Sequence, residues 1–251
     1  MTDRAPETLP YRGTPGIEAW EIDPRAGDLH VSISREPPPA PSQAVETQWE
    51  KLAALNPRMF DGPVLNVLTF DPERNEILAR RDGFKRLSVQ PQVATGVRIL
   101  AVSAIIAARD TAGREYVLLG RRAPQTRIYG GMWELGPSGG VSVPPLNVDS
   151  LNLQDLCHSI ADEISEEVGL SVASLGTPVA YVRDLVAHSD DLTIRFSLGR
   201  LEEVAHLARP ANWEYTETVW MPVDSASQFD TDETIAASRA TFRVLGWLNM
   251  H

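Results

Sequence analysis

The segment that most restricts the fold is "SLNLQDLCHSIADEISEEVGL", residues 150–170. Leu153, Leu156, Cys157, Ile160, Ile164 and Val168 recur in it at three- and four-residue steps, which places them on one face of a helix. Gly169 stands where a left-handed C-cap glycine ends such a helix. An amphipathic helix must bury its apolar stripe, and strand-like segments flank it on both sides. Upstream, "RILAVSAIIAAR" (98–109) and "EYVLLGRR" (115–122) are apolar runs joined by "DTAG", a hairpin buried on both faces. The glycine-rich "YGGMWELGPSGG" (129–140) follows. Downstream, "PVAYVRDLV" (178–186) and "LTIRFSLGRL" (192–201) read as a hairpin turned by "AHSDD", and "ETVWMPVD" (217–224) as a last strand. "DETIAASRATFRVLGWLN" (232–249) is an amphipathic closing helix with Thr231 or Asp232 as its cap. Strands on either side of a central helix, closed by another helix, predict an α/β/α layered domain with a mixed sheet.

The first ninety or so residues read as a smaller α+β region. "GIEAWEIDP" (16–24) and "LHVSISRE" (29–36) alternate apolar and polar residues around "DPRAGD", the pattern of a hairpin. "REPPPAPSQ" (35–43) is an extended connection. "SQAVETQWEKLAALNP" predicts a helix capped by Ser42 and stopped before Pro57. "VLNVLTFDPERNEILARRD" (64–82) is another strand–turn–strand unit around Asp71 and Pro72. The expected division is an N-terminal α+β extension over 1–92 and a main domain over 93–251.

Composition narrows the function classes. Of 251 residues, 43% are apolar, enough for a real core, and no apolar run reaches the roughly 20 residues that span a bilayer. "MTDRAPETLPYRG" lacks the pattern of a signal peptide, and Cys157 is the lone cysteine, so a reduced, cytoplasmic setting is expected, with no membrane association. A net charge of −11 argues against a nucleic-acid backbone as partner. It permits a small phosphorylated ligand, because arginines or a bound cation can invert the field inside one cleft. No protein partner is implied by the sequence.

The chemistry concentrates in "DEISEEVGL" (162–170). Glu163, Glu166 and Glu167 lie at i, i+3 and i+4, so their carboxylates share one helical face. They repel one another, and they sit toward a helix C-terminus, where the macrodipole disfavours negative charge. Glutamate pairs on exposed helices are common, but this placement is not one that stability alone would select. A hard cation removes the repulsion. Mg2+, with Mn2+ as its substitute, takes one or two carboxylates and completes its shell with water and phosphate oxygens. Gly139 and Gly140 upstream allow backbone to approach a metal or phosphate closely.

These residues resemble the signature box of Nudix hydrolases: glycine, five residues, glutamate, seven residues, then Arg-Glu-aliphatic-x-Glu-Glu-x-Gly-aliphatic. Glu163, Ile164, Glu166, Glu167, Gly169 and Leu170 match its second half, and Gly140 its leading glycine. Trp133 with "GPSGG" resembles the usual Trp-x-x-Pro-Gly-Gly approach, and "WMPVD" (220–224) a strand near the end of that fold. The likeness covers roughly residues 98–250. It departs at Asp162, where the box has arginine, and at Gln154, where the first glutamate falls. Gly140 and Asp162 are also twenty-two positions apart against fourteen in the regular box, so eight residues are inserted. An interrupted box of this kind is similar to the UDP-sugar pyrophosphatase branch, as is "WEKLAALNPRMFDGPVLNV" (49–67).

The resemblance implies a Nudix-type α/β/α sandwich and a metal-dependent hydrolase with Glu163, Glu166 and Glu167 as metal ligands. Glu163 and Glu166 would be the catalytic residues. The implied substrate is a small nucleotide-sugar, UDP-glucose or UDP-galactose, cleaved to UMP and sugar 1-phosphate. Gly139, Gly140, Arg121, Arg122 and Tyr129 are its candidate contacts, though strand-end solvent exposure for the arginines and core packing for Tyr129 are the ordinary alternatives. A further acidic ligand is expected at Glu214 or Glu217, with no choice between them. Trp133 and Cys157 read as core, and His158 and His188 as solvated histidines. The rival readings are a Nudix-fold nucleotide-binding or regulatory protein without turnover, favoured by Asp162 and Gln154, and a pyrophosphatase acting on ADP-ribose or coenzyme A.

Overall fold

The computed structural model describes residues 9–23, 28–172 and 175–249. In chain order the elements are β1 (Ile17–Glu21), β2 (His30–Ser34), α1 (Gln43–Leu55), β3 (Pro63–Asp71), β4 (Glu76–Gly83), α2 (Phe84–Ser88), β5 (Ile99–Arg109), β6 (Glu115–Arg122), β7 (Trp133–Leu135), β8 (Ser138–Gly140), β9 (Ser150–Asn152), α3 (Leu153–Val168), β10 (Thr177–Asp184), β11 (Ser189–Arg200), α4 (Leu201–Val204), β12 (Tyr215–Pro222) and α5 (Ala236–Val244). The strands form one mixed sheet in the order β1-β10-β11-β5-β3-β4-β2-β9, with β6 and β8 also on β5, and β7 and β12 on β6. The β11–β5 and β2–β4 pairs are parallel and the others antiparallel. The chain is thus a mixed α/β structure with helices on both faces of a large sheet.

β5 organises the layers because successive side chains of a strand point to opposite faces. Leu100, Val102, Ala104 and Ile106 join Leu156, Ile160, Ile164 and Val168 of α3 in the main core. Ile105 and Ala107 face the other way, against Val117, Leu119, Leu135 and Phe242 of α5. Leu156, Ile160 and Ile164 are fully buried, each contributing about 2 kcal/mol of transfer free energy. The first turn of α3 is closed by a capping box. Asn152 Oδ1 accepts from the Gln154 and Asp155 amides at 2.8 and 3.2 Å, and Asp155 Oδ2 accepts from the Asn152 amide at 2.9 Å. Gly169 ends the helix at φ 69°.

The α1 cap at Ser42, the β3–β4 hairpin and the β5–β6 hairpin stand as expected from sequence. Three expectations are corrected. β1 and β2 do not pair with each other: β1 lies on β10, and β2 lies between β4 and β9. Most of the intervening "DPRAGD" lies outside the described residues. Alternation marks a half-buried strand but not its partner, and both strands find longer-range edges. The closing helix begins at Ala236, not after Thr231 or Asp232. The backbone before it is committed elsewhere, since Trp133 N donates to Glu233 O at 2.7 Å and Ile235 N to Trp133 O at 2.9 Å. Finally, β11 starts at Ser189, so Asp190 and Asp191 are strand residues and not part of the turn. Asp184 explains this. Its Oδ1 accepts from the Val186 and Ala187 amides at 2.8 and 2.9 Å and completes the reversal one step earlier.

The inserted stretch before α3 is held by the N-terminal region. β9 pairs with β2, and Arg81 Nη2 donates to the carbonyls of Pro145 and Val148 at 2.8 and 2.6 Å. Val31, Ile33, Leu65, Val67, Ile77 and Ala79 belong to the same core as α3.

Candidate active site

The last two turns of α3 carry the three glutamates at graded depth. Glu166 is exposed, Glu163 half-buried, and Glu167 only 3% exposed. Among the described residues, neither Glu163 nor Glu167 has a side-chain hydrogen bond or ion pair. Burial pushes the Glu163 carboxyl up to about 7, helped by Glu214, Glu166 and Asp162. Burial pushes Glu167 up to about 9, with Glu134, Glu214 and Glu163 adding to it and Arg122 opposing. Gly139 makes room for this arrangement: a Cβ there would stand 2.0 Å from Glu163 Oε1. The glycine is required by the carboxylate beside it and not by its own φ.

Around Glu167 lies a buried polar network. Glu134, on β7, accepts from Arg122 Nη1 at 2.7 and 2.9 Å and from the Tyr215 hydroxyl. Tyr215 OH also lies 2.8 Å from Gly136 O. The Tyr215 ring fits because Gly120 has no side chain; a Cβ there would lie 2.5 Å from it. Burial raises the Glu134 carboxyl, and the Arg122 guanidinium and Tyr215 hydroxyl counter it.

The loop entering β12 sets Glu214 and Glu217 apart. Ala211 N donates to Glu167 O at 2.9 Å, Glu214 N to Asn212 Oδ1 at 2.8 Å and Ala123 N to Glu214 O at 2.7 Å. Glu214 is thereby held close enough to raise Glu163, Glu167 and Glu134. Glu217 is exposed.

A cleft of about 290 Å3 opens on the α5 face of the sheet, and Gly139, Gly140, Arg122, Glu134 and Tyr129 line it. The structure therefore brings four of the five sequence-selected contact residues to one cavity. Arg121 is not among its lining residues: its guanidinium lies 5.7 Å from the Trp133 ring centroid and its Nε donates to Gly131 O at 3.1 Å. Arg122 reaches the cleft but is held by Glu134. Tyr129, at φ 58°, donates to Asp184 Oδ2 at 2.6 Å, which together with burial raises its phenol. Of the other residues singled out, Cys157 is buried, His158 is exposed, and burial lowers the His188 imidazole.

Sequence reasoning missed Glu134, Arg127 and Asp191. Glu134 stood in plain view between Trp133 and Leu135, but nothing local marks a strand acid as buried. Arg127 lines the cleft, makes no ion pair among the described residues, and lies 6.0 Å from the Phe84 ring centroid. Asp191 was read as part of a turn.

The donor set suits a hard divalent cation. Glu167 is buried without a partner among the described residues, Glu163 and Glu214 stand near it, and all the donors are carboxylate oxygens. Among the described residues no group of three His, Cys, Asp or Glu side chains is placed to hold a metal ion by itself. An ion that keeps several waters and takes phosphate oxygens from a ligand needs fewer protein donors.

No protein-family model and no curated protein matches the chain. Solved structures align with part of it. The MutT protein from Methanosarcina mazei Go1 is 24% identical over 58% of this chain and 90% of that one, with a TM-score of 0.39. A Nudix hydrolase from M. smegmatis, RenU, is 20% identical over 58% and 81%, with a TM-score of 0.39. A bifunctional NMN adenylyltransferase/ADP ribose pyrophosphatase from Francisella tularensis is 11% identical over 64% and 44%, with a TM-score of 0.43.

Proposed function

We propose that this chain is a Nudix-type hydrolase that cleaves the phosphoric anhydride bond of a nucleoside diphosphate derivative. The observation that carries the reading is Glu167, a carboxyl buried beside Glu163 with no hydrogen bond or ion pair among the described residues. An ionised carboxylate in that position is costly unless a positive charge arrives, and the cost disappears when one does. Glu163, Glu166 and Glu167 are the proposed holders of Mg2+ or Mn2+, with Glu214 as the fourth acid. The cation supplies neutralisation of charge on the diphosphate oxygens.

The protein side chains do the rest. Glu163 or Glu166 accepts the proton of the attacking water as the water oxygen bonds to phosphorus and the bridging P–O bond breaks. The departing phosphate leaves with that electron pair. Arg122 and Tyr215 hold Glu134 against Glu167, which fixes the depth of the site. Gly139, which lines the cleft, lets the Glu163 carboxylate lie against the β8 backbone; Glu163 itself is not among the lining residues. Arg127, which lines the cleft and pairs with no acid among the described residues, offers a cation to the anionic ligand.

The substrate proposed is a UDP-sugar, giving UMP and sugar 1-phosphate. Support for the sugar comes from the interrupted box and from the 49–67 segment. That segment also lies near the cleft rim: Phe84 N donates to Gly62 O at 2.8 Å, and Phe84 lies under Arg127. A second reading, nucleotide binding without turnover, is favoured by Asp162 and Gln154. Incubation with Mg2+ and a panel of UDP-glucose, UDP-galactose, ADP-ribose and coenzyme A, with chromatography of the products, decides between them. Release of UMP is expected. Binding without any cleavage would support the second reading.

A further inference from the structure

Three aspartates lie along the β10–β11 hairpin, and two of them are fully occupied. Asp184 caps the turn and accepts from Tyr129. Asp190 is paired with Arg98 at 2.7 Å and Arg183 at 2.9 Å. Asp191 is different. It points to the opposite face from Asp190, into the cleft, and its hydrogen-bond partners are two serine hydroxyls: Ser189 to Oδ2 at 2.6 Å and Ser103 to Oδ1 at 3.3 Å. No cation is among its partners. A carboxylate has about four acceptor positions, and two of them are used by partners among the described residues. Burial, with Asp184 and Asp190 nearby, pushes this carboxyl up to about 7 against the two serine hydrogen bonds.

The position is well fixed. Asp191 pairs with Ala101 and Thr193 with Ser103 in the parallel β11–β5 ladder, so the carboxyl stands on the rigid floor of the sheet. The serines on either side set its rotamer without neutralising it. Arg127, which also lines the cleft, has the opposite character: its guanidinium lies over the Phe84 ring and pairs with no acid among the described residues. The cleft therefore presents both an acceptor and a cation, the arrangement that suits a ligand carrying neutral hydrogen-bond donors and phosphate.

We propose that Asp191 is the specificity-determining acceptor for the organic part of the substrate, taking two hydrogen bonds from adjacent donors on it. This rests on the reading of the chain as a hydrolase of nucleoside diphosphate derivatives. The donors can be neighbouring hydroxyls of a sugar or the N–H of a base, and the two share the same acceptor chemistry.

The test is binding, not turnover, so it separates from the hydrolysis assay. Calorimetric titration of the full chain in EDTA uses UMP, ribose 5-phosphate, glucose 1-phosphate and inorganic phosphate, each against wild type and Asp191→Asn. The variant is expected to lose about tenfold or more in affinity for the donor-bearing ligands, with inorganic phosphate unchanged. Loss with both sugar phosphates assigns Asp191 to hydroxyls; loss with UMP alone assigns it to the base. Equal affinities in wild type and variant, or no binding of the three organic ligands by wild type, overturn the proposal. If Asp191→Asn does not fold, Asp191→Glu answers the same question by moving the carboxylate into the cleft; unchanged affinities there also overturn it. A chain that binds through Asp191 but hydrolyses none of the panel would leave this inference standing and remove only the proposed reaction.

Discussion

Asp190, at the root of the β10–β11 hairpin, and the acids at the end of α3 are treated in opposite ways. Asp190 is fully buried and carries two arginines, and Asp82 likewise carries Arg86 at 2.6 Å with Arg80 at 3.6 Å. Glu167 is nearly as deep and has none. Burial without a partner raises Glu163 and Glu167, whereas Arg183 and Arg98 oppose the burial of Asp190. A partnered acid belongs to the scaffold: its ion pairs are complete within the chain. An unpartnered one is incomplete until something outside the chain arrives. The difference is a physical criterion for locating a site, independent of any motif.

The strongest way to break this comparison is to remove a partnered acid. Asp190→Ala should cost about 3 kcal/mol or more in urea denaturation, because it leaves Arg98 and Arg183 without their counter-charge. A loss under 1 kcal/mol would show that the pairs are not structural.

The converse change is Glu167→Gln, which removes an acid the fold does not use. Activity should fall about hundredfold or more through lost metal affinity, while stability in EDTA holds or rises. The pH dependence gives the sign. With carboxyls raised from the ordinary 4.5 to about 7 for Glu163 and about 9 for Glu167, these two groups hold more protons in the folded chain than in the unfolded one in that window. Metal-free stability must then fall as pH rises from about 4.5 toward 9. Glu167→Gln should make that fall shallower, and Mg2+ should reverse it in the wild type by binding the ionised form. A metal-free wild type that gains stability from pH 5 to 8 would contradict the assignment of these acids as unpartnered.

A gentler change keeps every acid and shifts one. Gly139→Ala places a methyl on Glu163 Oε1 and should lower turnover about tenfold or more by displacing that carboxylate. The melting temperature checks that the fold survives. Unchanged turnover would mean that Glu163 is not held where the reaction needs it.

The smallest effect is expected at the altered box positions. Gln154 and Asp162 are both exposed on α3, eight residues apart, or about 12 Å along the axis. Asp162→Arg should weaken Mg2+ binding by drawing Glu163 and Glu166 toward a cation. Adding Gln154→Glu should be additive within about 0.5 kcal/mol in a double-mutant cycle on turnover, since the side chains are not neighbours. A larger coupling would show that the two meet.

Much of this was legible in the chain because it is local. The apolar spacing of α3, its glycine stop, the Ser42 cap and the β3–β4 reversal are all written within a few residues of where they act. The helix face bearing Glu163, Glu166 and Glu167 follows from the same periodicity. What the pattern could not give was depth: three adjacent glutamates look alike in sequence, yet one is exposed, one half-buried and one buried. The partner of each strand was equally hidden. β1 and β2 look like neighbours, but edge pairing with β10 and β9 is set by distant backbone that alternation does not encode.

By itself, then, the sequence determined α1, α3 and the body of α5, most strands, the mixed α/β architecture and the face of α3 that carries acid. Tertiary structure alone decided that Glu134 and Glu214 stand against Glu167, that Arg122 is occupied and Arg121 turned away, and that Asp191 looks into a cleft. The reason is range. Periodicity and capping act over one or two turns of chain, whereas burial and charge pairing depend on which distant segments the sheet brings together, as the Ala211–Glu167 backbone bond brings the β12 loop to the end of α3.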